Sequence, residues 1–148
     1  MSGPTAVIVG LDGSDTSWDA FWWACGETKR LAGRAVAVLV SPAADSAVVA
    51  ASASFAAASA YGSIAQVTSE LAEELRQKAC RYALDHGIDL TFVHARGDPA
   101  HELLRVAEAE HADLIVVGSS TKARHHVAGS LGRRLIGRRR APIIVVVP

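Results

Sequence analysis

The sequence contains 148 residues, which is the length of one ordinary domain and enough chain for a substantial buried core. Half of the residues are apolar and 20% are charged, a composition typical of soluble globular proteins. The formal net charge is zero, so the charge of the whole molecule favours no particular partner.

The residue pattern disfavours a zinc site, secretion and membrane insertion. Cys25 and Cys80 lie far apart within helical patterns and without clustered histidines, which predicts reduced thiols. The first residues lack a basic region and a long apolar run, so no signal peptide is expected. Segment 43–66 is apolar on average but consists largely of Ala and Ser, which is too weak for a membrane span. We therefore expect a cytoplasmic protein.

Five apolar strands are predicted to alternate with four helices along the chain. Most strand patterns are continuous apolar runs, as expected when helices cover both faces of a sheet. Gly87 is a plausible stop for the second helix, and Asp98 with Pro99 forms a start signal for the third. The alternation predicts an α/β fold with an open parallel sheet and helices on both faces. The predicted strands are 5–11, 35–40, 88–95, 113–118 and 142–147, and the predicted helices are roughly 15–32, 64–87, 98–112 and 129–139.

The connection after the second strand is unusual in length and composition. Segment 41–63 is rich in Ala and Ser and is too long for a normal connection between a strand and a helix. We expect a mobile or partly helical surface insertion that carries no chemistry of its own.

The end of the first predicted strand carries a candidate ligand group. In an open parallel sheet, ligands bind beyond the carboxyl ends of the strands, where the strand order switches. Asp12 occupies such an end, where its carboxylate can accept hydrogen bonds from hydroxyls or amines. Gly13 permits a turn, and Ser14 or Asp15 can cap the following helix. Helix capping does not account for Asp12, which precedes the turn.

The end of the fourth strand, 117-VGSSTKARHHVAGS-130, carries a second candidate site. Gly118 can adopt a positive φ angle and allows close backbone approach. Gly129 and Ser130 stand at the start of the fourth helix, where free N–H groups and the helix dipole favour an anion. The same residues also suit an ordinary turn glycine and a capping serine, so the loop alone leaves both interpretations open.

Four stretches of the sequence share one family pattern: 9-VGLDGSDTSWDAFWWA-24, 97-GDPAHELLRVAEAEHADLIVVGSS-120, 129-GSLGRRL-135 and 142-PIIVVVP-148. In this order and at these separations, they resemble the universal stress proteins across nearly the full length of the chain. The resemblance implies a single-domain five-stranded parallel sheet in the order 3-2-1-4-5, with an adenine nucleotide α-hydrolase-like fold. It also implies a homodimer, and the apolar edge strand 142–147 offers unpaired backbone groups to a partner chain.

The resemblance further implies an ATP site. Asp12 matches the acidic residue that contacts the ribose or adenine, and Val40 matches the second-strand backbone position at the adenine. Gly118 matches the first glycine of the phosphate loop, and Gly129 with Ser130 matches its closing pair. The expected ligand is ATP or another adenine nucleotide, and accompanying Mg²⁺ is left open. The full predicted set is Leu11, Asp12, Val40, Val117, Gly118, Thr121, Gly129, Ser130 and Leu131.

Two departures from the family pattern affect the phosphate end. Thr121 occupies the place of the second glycine, and seven rather than nine residues separate it from Gly129. A Cβ at Thr121 restricts the backbone and crowds the space that a phosphate needs. The alternatives to a nucleotide-binding stress-response protein are therefore an interaction module of the same fold and a weak ATPase. These motifs yield no set of nucleophile, base and orienting group, so enzymatic activity is not favoured.

The C-terminal part of the sequence is basic. No carboxylate side chain follows Asp113, so an anion approaching this end would meet a positive field. Around Lys122, the basic residues can either close over phosphates or form a solvated loop. The arginines of the fourth helix are expected on its exposed face, with Leu131, Leu135 and Ile136 turned inward. Nucleic-acid binding is not favoured without interleaved aromatics or a recognition motif. The basic residues of this part are Lys122, Arg124, His125, His126, Arg133, Arg134, Arg138, Arg139 and Arg140.

Overall fold

The computed structural model describes residues 3–43, 55–119, 128–136 and 142–148, with the backbone alone described for 55–66, 128–130 and 133. No helix among these residues is long and apolar enough to cross a membrane. In chain order the described elements are β1 (Ala6–Gly10), α1 (Asp15–Arg30), β2 (Arg34–Ser41), α2 (Phe55–His86), β3 (Leu90–Arg96), α3 (Pro99–Ala109), β4 (Leu114–Gly118), α4 (Ala128–Ile136) and β5 (Ile143–Val147).

The five strands form one parallel sheet in the order β3-β2-β1-β4-β5, which confirms the predicted fold. Ile8 of β1 pairs with Val36 of β2 on one side and with Ile115 of β4 on the other. Strands β2 and β3 are added on one side of β1, and strands β4 and β5 on the other side. The strand order therefore switches between β1 and β4. This switch point is where an open parallel sheet forms a crevice for ligands.

Both faces of the sheet are packed against helices. Val7 and Val9 belong to a core with α1 and α2, whereas Ile8 belongs to a core with α3 and α4. Side chains of successive strand residues point to opposite faces, so a strand covered on both faces must be apolar throughout. Val7, Ile8 and Val9 are each fully buried, which explains why the β1 sequence shows no alternation. Full burial of such a side chain stabilises the fold by about 1.5–3 kcal/mol.

Helix signals in the sequence correspond to real termini. Asp98 caps α3, and its carboxylate accepts a hydrogen bond from the His101 N–H at 3.0 Å. Pro99 follows as the first helical residue, where its missing N–H costs no hydrogen bond. Gly87, directly after α2, has a φ angle of +64°, as a glycine that ends a helix commonly does. The predicted cap and stop are therefore confirmed.

Helix α2 begins at Phe55, earlier than the predicted start near residue 64. The first part of this helix is rich in Ala, the residue with the highest helix propensity, so residues 55–63 of the predicted insertion are helical. Residues 44–54 lie outside the described part of the chain, and the mobility expected for segment 41–63 stays a prediction.

The length of α2 brings it past the carboxyl edge of the sheet. Its 32 residues span about 48 Å, whereas the seven residues of β3 span about 23 Å. Ala79 and Leu75 are buried against the sheet, and the Leu75 and Leu71 side chains reach the turn at Gly13. The N-terminal half of α2 therefore continues beyond the sheet on the side where the switch point lies.

Candidate functional site

The turn after β1 places Asp12 at the switch point. Ser14 caps α1, because its Oγ accepts a hydrogen bond from the Ser17 N–H at 3.2 Å. Asp12 Oδ1 in turn accepts bonds from the Ser14 N–H at 2.9 Å and from the Ser14 hydroxyl at 2.6 Å. Ser14 is thus the cap, whereas Asp15 is the first helical residue. Gly13 has a φ angle of +91°, which only a glycine adopts readily.

Asp12 has a structural role that the sequence interpretation missed. Its carboxylate closes the turn through Ser14, a role other than helix capping that the sequence interpretation did not consider. Both Ser14 bonds use Oδ1. Partial burial by itself would raise the pKa of Asp12, but hydrogen bonds from Ser14 and Ser17 outweigh it and lower the pKa overall. Asp12 is therefore an oriented, ionised acceptor at neutral pH.

Val40, near the end of β2, lies opposite this turn. The Leu11 N–H donates to the Val38 C=O at 2.9 Å, so the backbone groups of Val38 face β1. The Gly97 N–H donates to the Ser41 C=O at 2.9 Å, so the backbone groups of Ser41 face away from β1, toward β3. Because N–H and C=O groups alternate between the two neighbours of a strand, those of Val40 face the β1 side.

The ladder between β1 and β2 stops before it reaches Val40. Paired residues end at Gly10 and Val38, and the chain leaves the sheet for the Asp12 turn. Among the described residues, no hydrogen bond joins the Val40 N–H to the Leu11 C=O or the Gly13 N–H to the Val40 C=O. Within the described ranges, the N–H and C=O groups of Val40 are therefore open, which here means without a backbone partner. Buried backbone groups are nearly always paired, so open ones at a crevice are available to a ligand.

Gly118, at the end of β4, is explained by packing. Its φ angle is not in the positive range, so the conformational interpretation of this glycine was wrong. A Cβ at this position would lie 2.5 Å from the Thr16 carbonyl carbon and 3.0 Å from the Ser17 backbone nitrogen. The predicted close approach is therefore real, but within the described residues it is made by the first turn of α1.

Helix α4 packs against β5 and against α3. Gly129 and Ser130 fall in its first turn, as predicted. Leu135 is fully buried and Leu131 is half-buried, but Ile136 is 66% exposed, so its predicted inward orientation was wrong. Ile136 follows Leu135 by about 100° around the helix, which turns its side chain away from the core.

The remaining predicted residues divide into a buried pair and an undescribed loop. Leu11 and Val117 are buried in the core, so only their backbones can meet a ligand. Thr121 and the basic residues around Lys122 lie outside the described part of the chain. The structure therefore brings Asp12, Val40 and Gly118 to one edge of the sheet.

Two polar contacts near this edge were not foreseen from the sequence. The Ser41 hydroxyl and His94 Nε2 lie 2.7 Å apart at the ends of β2 and β3. The Arg134 guanidinium donates to the Asp98 carboxylate at 2.6 Å and so ties α4 to the start of α3. The histidine late in β3, His94, was the one available signal in the sequence.

Thiol and metal chemistry receive no support from the described residues. Burial raises the pKa of the Cys25 thiol to about 12, and thiols that stay protonated are poor nucleophiles. Across the described ranges, no group of three or more His, Cys, Asp and Glu side chains is placed to hold a metal ion.

Comparison with known proteins places the chain in a family. The family model for the universal stress protein family matches residues 5–147. The chain belongs to the universal stress protein family. A universal stress protein of Methanocaldococcus jannaschii is 28% identical over 148 aligned residues, which cover 95% of this chain and 80% of that protein.

Solved structures of universal stress proteins share the fold. A structure from Lactobacillus plantarum is 22% identical, with a TM-score of 0.72 and complete coverage of both chains. A structure from Archaeoglobus fulgidus in complex with dAMP is 17% identical, with a TM-score of 0.64 and complete coverage of both chains. At these identities the likeness shows a common architecture of sheet and helices.

Proposed function

We propose that this protein binds an adenine nucleotide, with ATP as the expected form, at the switch point between β1 and β4. The observation that carries this proposal is the open N–H and C=O pair of Val40 beside the oriented carboxylate of Asp12. Family membership and the related Archaeoglobus protein in complex with dAMP favour the same ligand class.

The Val40 backbone suits adenine through its pattern of donor and acceptor. Adenine presents an acceptor at N1 beside a donor at its N6 amino group, so it can accept from the N–H and donate to the C=O. Guanine presents a donor at N1 beside an acceptor at O6, which is the reverse pattern. A matched pair of hydrogen bonds discriminates between bases by about 1–3 kcal/mol. We therefore expect adenine to bind in preference to guanine.

Asp12 and α4 suit the other parts of a nucleotide. The Asp12 carboxylate has a second oxygen, Oδ2, besides the one bonded to Ser14, and it can accept hydrogen bonds from ribose hydroxyls. Bonds to a charged acceptor are about twice as strong as neutral ones. At the start of α4, the backbone at Gly129 and Ser130 can meet a phosphate through the free N–H groups and the helix dipole.

Calorimetric titration tests the proposal. We expect heat of binding with adenosine and ATP, and an affinity for guanosine that is lower by about 5- to 150-fold. Asp12→Asn should weaken adenosine binding by about tenfold, because it removes a charged acceptor and keeps the Oδ1 acceptor of the turn. Asp19→Asn, an exposed carboxylate on α1, is the matched control and should leave binding unchanged. No heat with millimolar ATP and adenosine would count against the proposal.

A protein-interaction module that has lost nucleotide binding is the second candidate. The observation that favours it is Thr121 together with the shortened spacer before Gly129. Mass spectrometry of the denatured, freshly purified protein separates the two candidates. Bound adenine nucleotide in that sample would exclude the second candidate.

We also propose a homodimer through β5. This strand lies at the edge of the sheet, and its Ile143 and Val146 side chains are 69% and 48% exposed. An apolar edge strand with open backbone groups is suited to pairing with a second copy. Sedimentation should show a dimer for the unaltered chain and a monomer for Ile143→Lys. Leu84→Lys, at an exposed apolar position of α2, should stay dimeric, and a monomeric unaltered chain would refute this proposal.

A further inference from the structure

Ser41 and His94 form a hydrogen-bonded pair at the carboxyl edge of the sheet, next to Val40. The Ser41 Oγ and His94 Nε2 lie 2.7 Å apart, although 53 positions separate the residues in the sequence. Ser41 pairs with Arg96 in the β2–β3 register, so His94 is its diagonal neighbour on the same face. Ser41 is only 6% exposed, so its hydroxyl needs a partner within the protein.

The pair completes a double attachment of Ser41 to β3. The Ser41 C=O accepts from the Gly97 N–H at 2.9 Å, while the Ser41 side chain bonds to His94. On its other side, the end of β2 is not paired with β1, because the described β1–β2 pairs stop at Val38. Attachment to β3 therefore holds this strand end where one of its two neighbours is missing.

Peptide geometry transmits that attachment to Val40. The Val40 C=O and the Ser41 N–H belong to one planar peptide group, so they cannot rotate independently. When Ser41 is fixed against β3, the direction of the Val40 C=O toward the switch point is fixed as well.

We propose that Ser41 and His94 are positioning residues that hold the Val40 backbone in the orientation that recognises the nucleobase. This inference rests on the proposed nucleotide function. It adds to that function a side-chain pair that sets base selectivity without touching the base. Without the pair, the Val40 peptide group should sample more orientations. Its preference for adenine over a base with the reverse hydrogen-bond pattern should therefore decrease.

The test compares adenosine with inosine, which carries the guanine-like pattern of a donor at N1 and an acceptor at O6. We expect Ser41→Ala and His94→Ala each to reduce the adenosine-to-inosine affinity ratio by about fivefold, the effect of one typical hydrogen bond. His94→Gln should restore most of the ratio, because its side-chain amide can replace Nε2. Thr91→Ala, at an exposed position on the same strand, is the control and should leave the ratio unchanged.

The affinity ratio distinguishes positioning from a general loss of stability. A variant that is merely less folded binds both nucleosides more weakly and keeps their ratio. An unchanged ratio in Ser41→Ala, or no recovery in His94→Gln, overturns the proposal.

Failure of the underlying function would be recognised separately. If the unaltered protein binds neither nucleoside, the proposed function is refuted, and so is the proposed role of the pair in base selectivity. Amide hydrogen exchange of Gly97 then still reports the attachment of the strand end. Exchange that is no faster in Ser41→Ala would show that the pair does not hold Ser41 against β3.

Discussion

The two strand ends that border the switch point both use glycine, but for different physical reasons. Gly13, after β1, has a φ angle of +91°, and its surroundings leave a Cβ in ordinary contact with Leu75. Gly118, at the end of β4, has no positive φ angle, but the backbone of Thr16 occupies the space of a Cβ. One glycine is required by conformation and the other by packing. Sequence patterns do not separate these two requirements, although they predict different mutational costs.

The largest effect is expected for Gly118→Ala. The added Cβ would meet backbone atoms of Thr16 and Ser17 in the first turn of α1, and backbone cannot move aside as a flexible side chain can. We expect a loss of about 3 kcal/mol in the free energy of unfolding, at the upper end for overpacking. Urea denaturation measures this loss. Gly26→Ala is the control, since a Cβ there meets nothing within 4 Å and should stabilise α1 by about 1 kcal/mol.

The comparison would fail if Gly118→Ala unfolded at the same urea concentration as the unaltered protein. In that case α1 would shift to accommodate the added Cβ with little loss of free energy of unfolding. The glycine at position 118 would then have to be explained by contact with a ligand.

Gly13→Ala should cost less, about 1–2 kcal/mol, because the strain is confined to one residue with a positive φ angle. Gly13→Asn should lose less than the alanine variant, since Asn tolerates positive φ angles better than Ala. That order sharpens the contrast with Gly118, where Asn should be no better tolerated than Ala. Equal losses for Gly13→Ala and Gly13→Asn in urea denaturation would contradict a conformational origin.

Ser14→Ala tests the turn that Gly13 makes possible. It removes the α1 cap, in which Ser14 Oγ accepts from the Ser17 N–H, and also the bond that the Ser14 hydroxyl donates to Asp12 Oδ1. We expect a loss of about 1 kcal/mol in stability. It should also raise the pKa of Asp12 toward its ordinary value of 3.8, because the hydroxyl bond that favours the carboxylate is gone. Carbon-detected NMR titration of Asp12 measures the change. Ser14→Thr keeps a hydroxyl and should retain the lowered pKa.

The sign of the pH effect follows from the lowered pKa of Asp12. In the unfolded chain this carboxyl takes up a proton at higher pH than in the folded protein. Its contribution to stability is therefore present above pH 3.8 and is lost as the pH falls through the folded value. Ser14→Ala should flatten this acid-side dependence, and an unchanged slope would contradict the assignment.

Much of the fold could be predicted because its determinants are local. The continuous apolar run of β1 indicated burial on both faces, and Asp98 followed by Pro99 marked the start of α3. The location of Asp12 at a strand end was predictable as well. Its hydrogen bonds to Ser14 follow from a short Asx-type turn that the sequence interpretation did not consider.

The features that could not be predicted depend on register and on neighbouring backbone. The open groups of Val40 exist because β1 leaves the sheet after Leu11 while β2 continues to Ser41. The Ser41–His94 contact requires the particular pairing of β2 with β3, and no local pattern contains that pairing. The contact of Gly118 with Thr16 likewise depends on where α1 crosses β4.

His94 provides the smallest expected effect and extends the comparison to the far side of β2. Burial and the nearby Arg96 charge lower its pKa below the ordinary 6.5, so the unfolded chain binds a proton there more readily. The contribution of His94 to stability should therefore be complete above about pH 6.5. It should be lost as the pH falls through the pKa of His94 in the folded protein. His94→Gln removes the titrating group and should make the urea midpoint less dependent on pH between neutral and mildly acid conditions. His86→Gln, which changes an exposed histidine, is the control, and an equal flattening there would show that the effect does not arise at the strand end. Ser41 bonds to the imidazole of His94. A flatter pH dependence in His94→Gln, but not in His86→Gln, would therefore show that protonation of this ring affects the end of β2 that contains Val40.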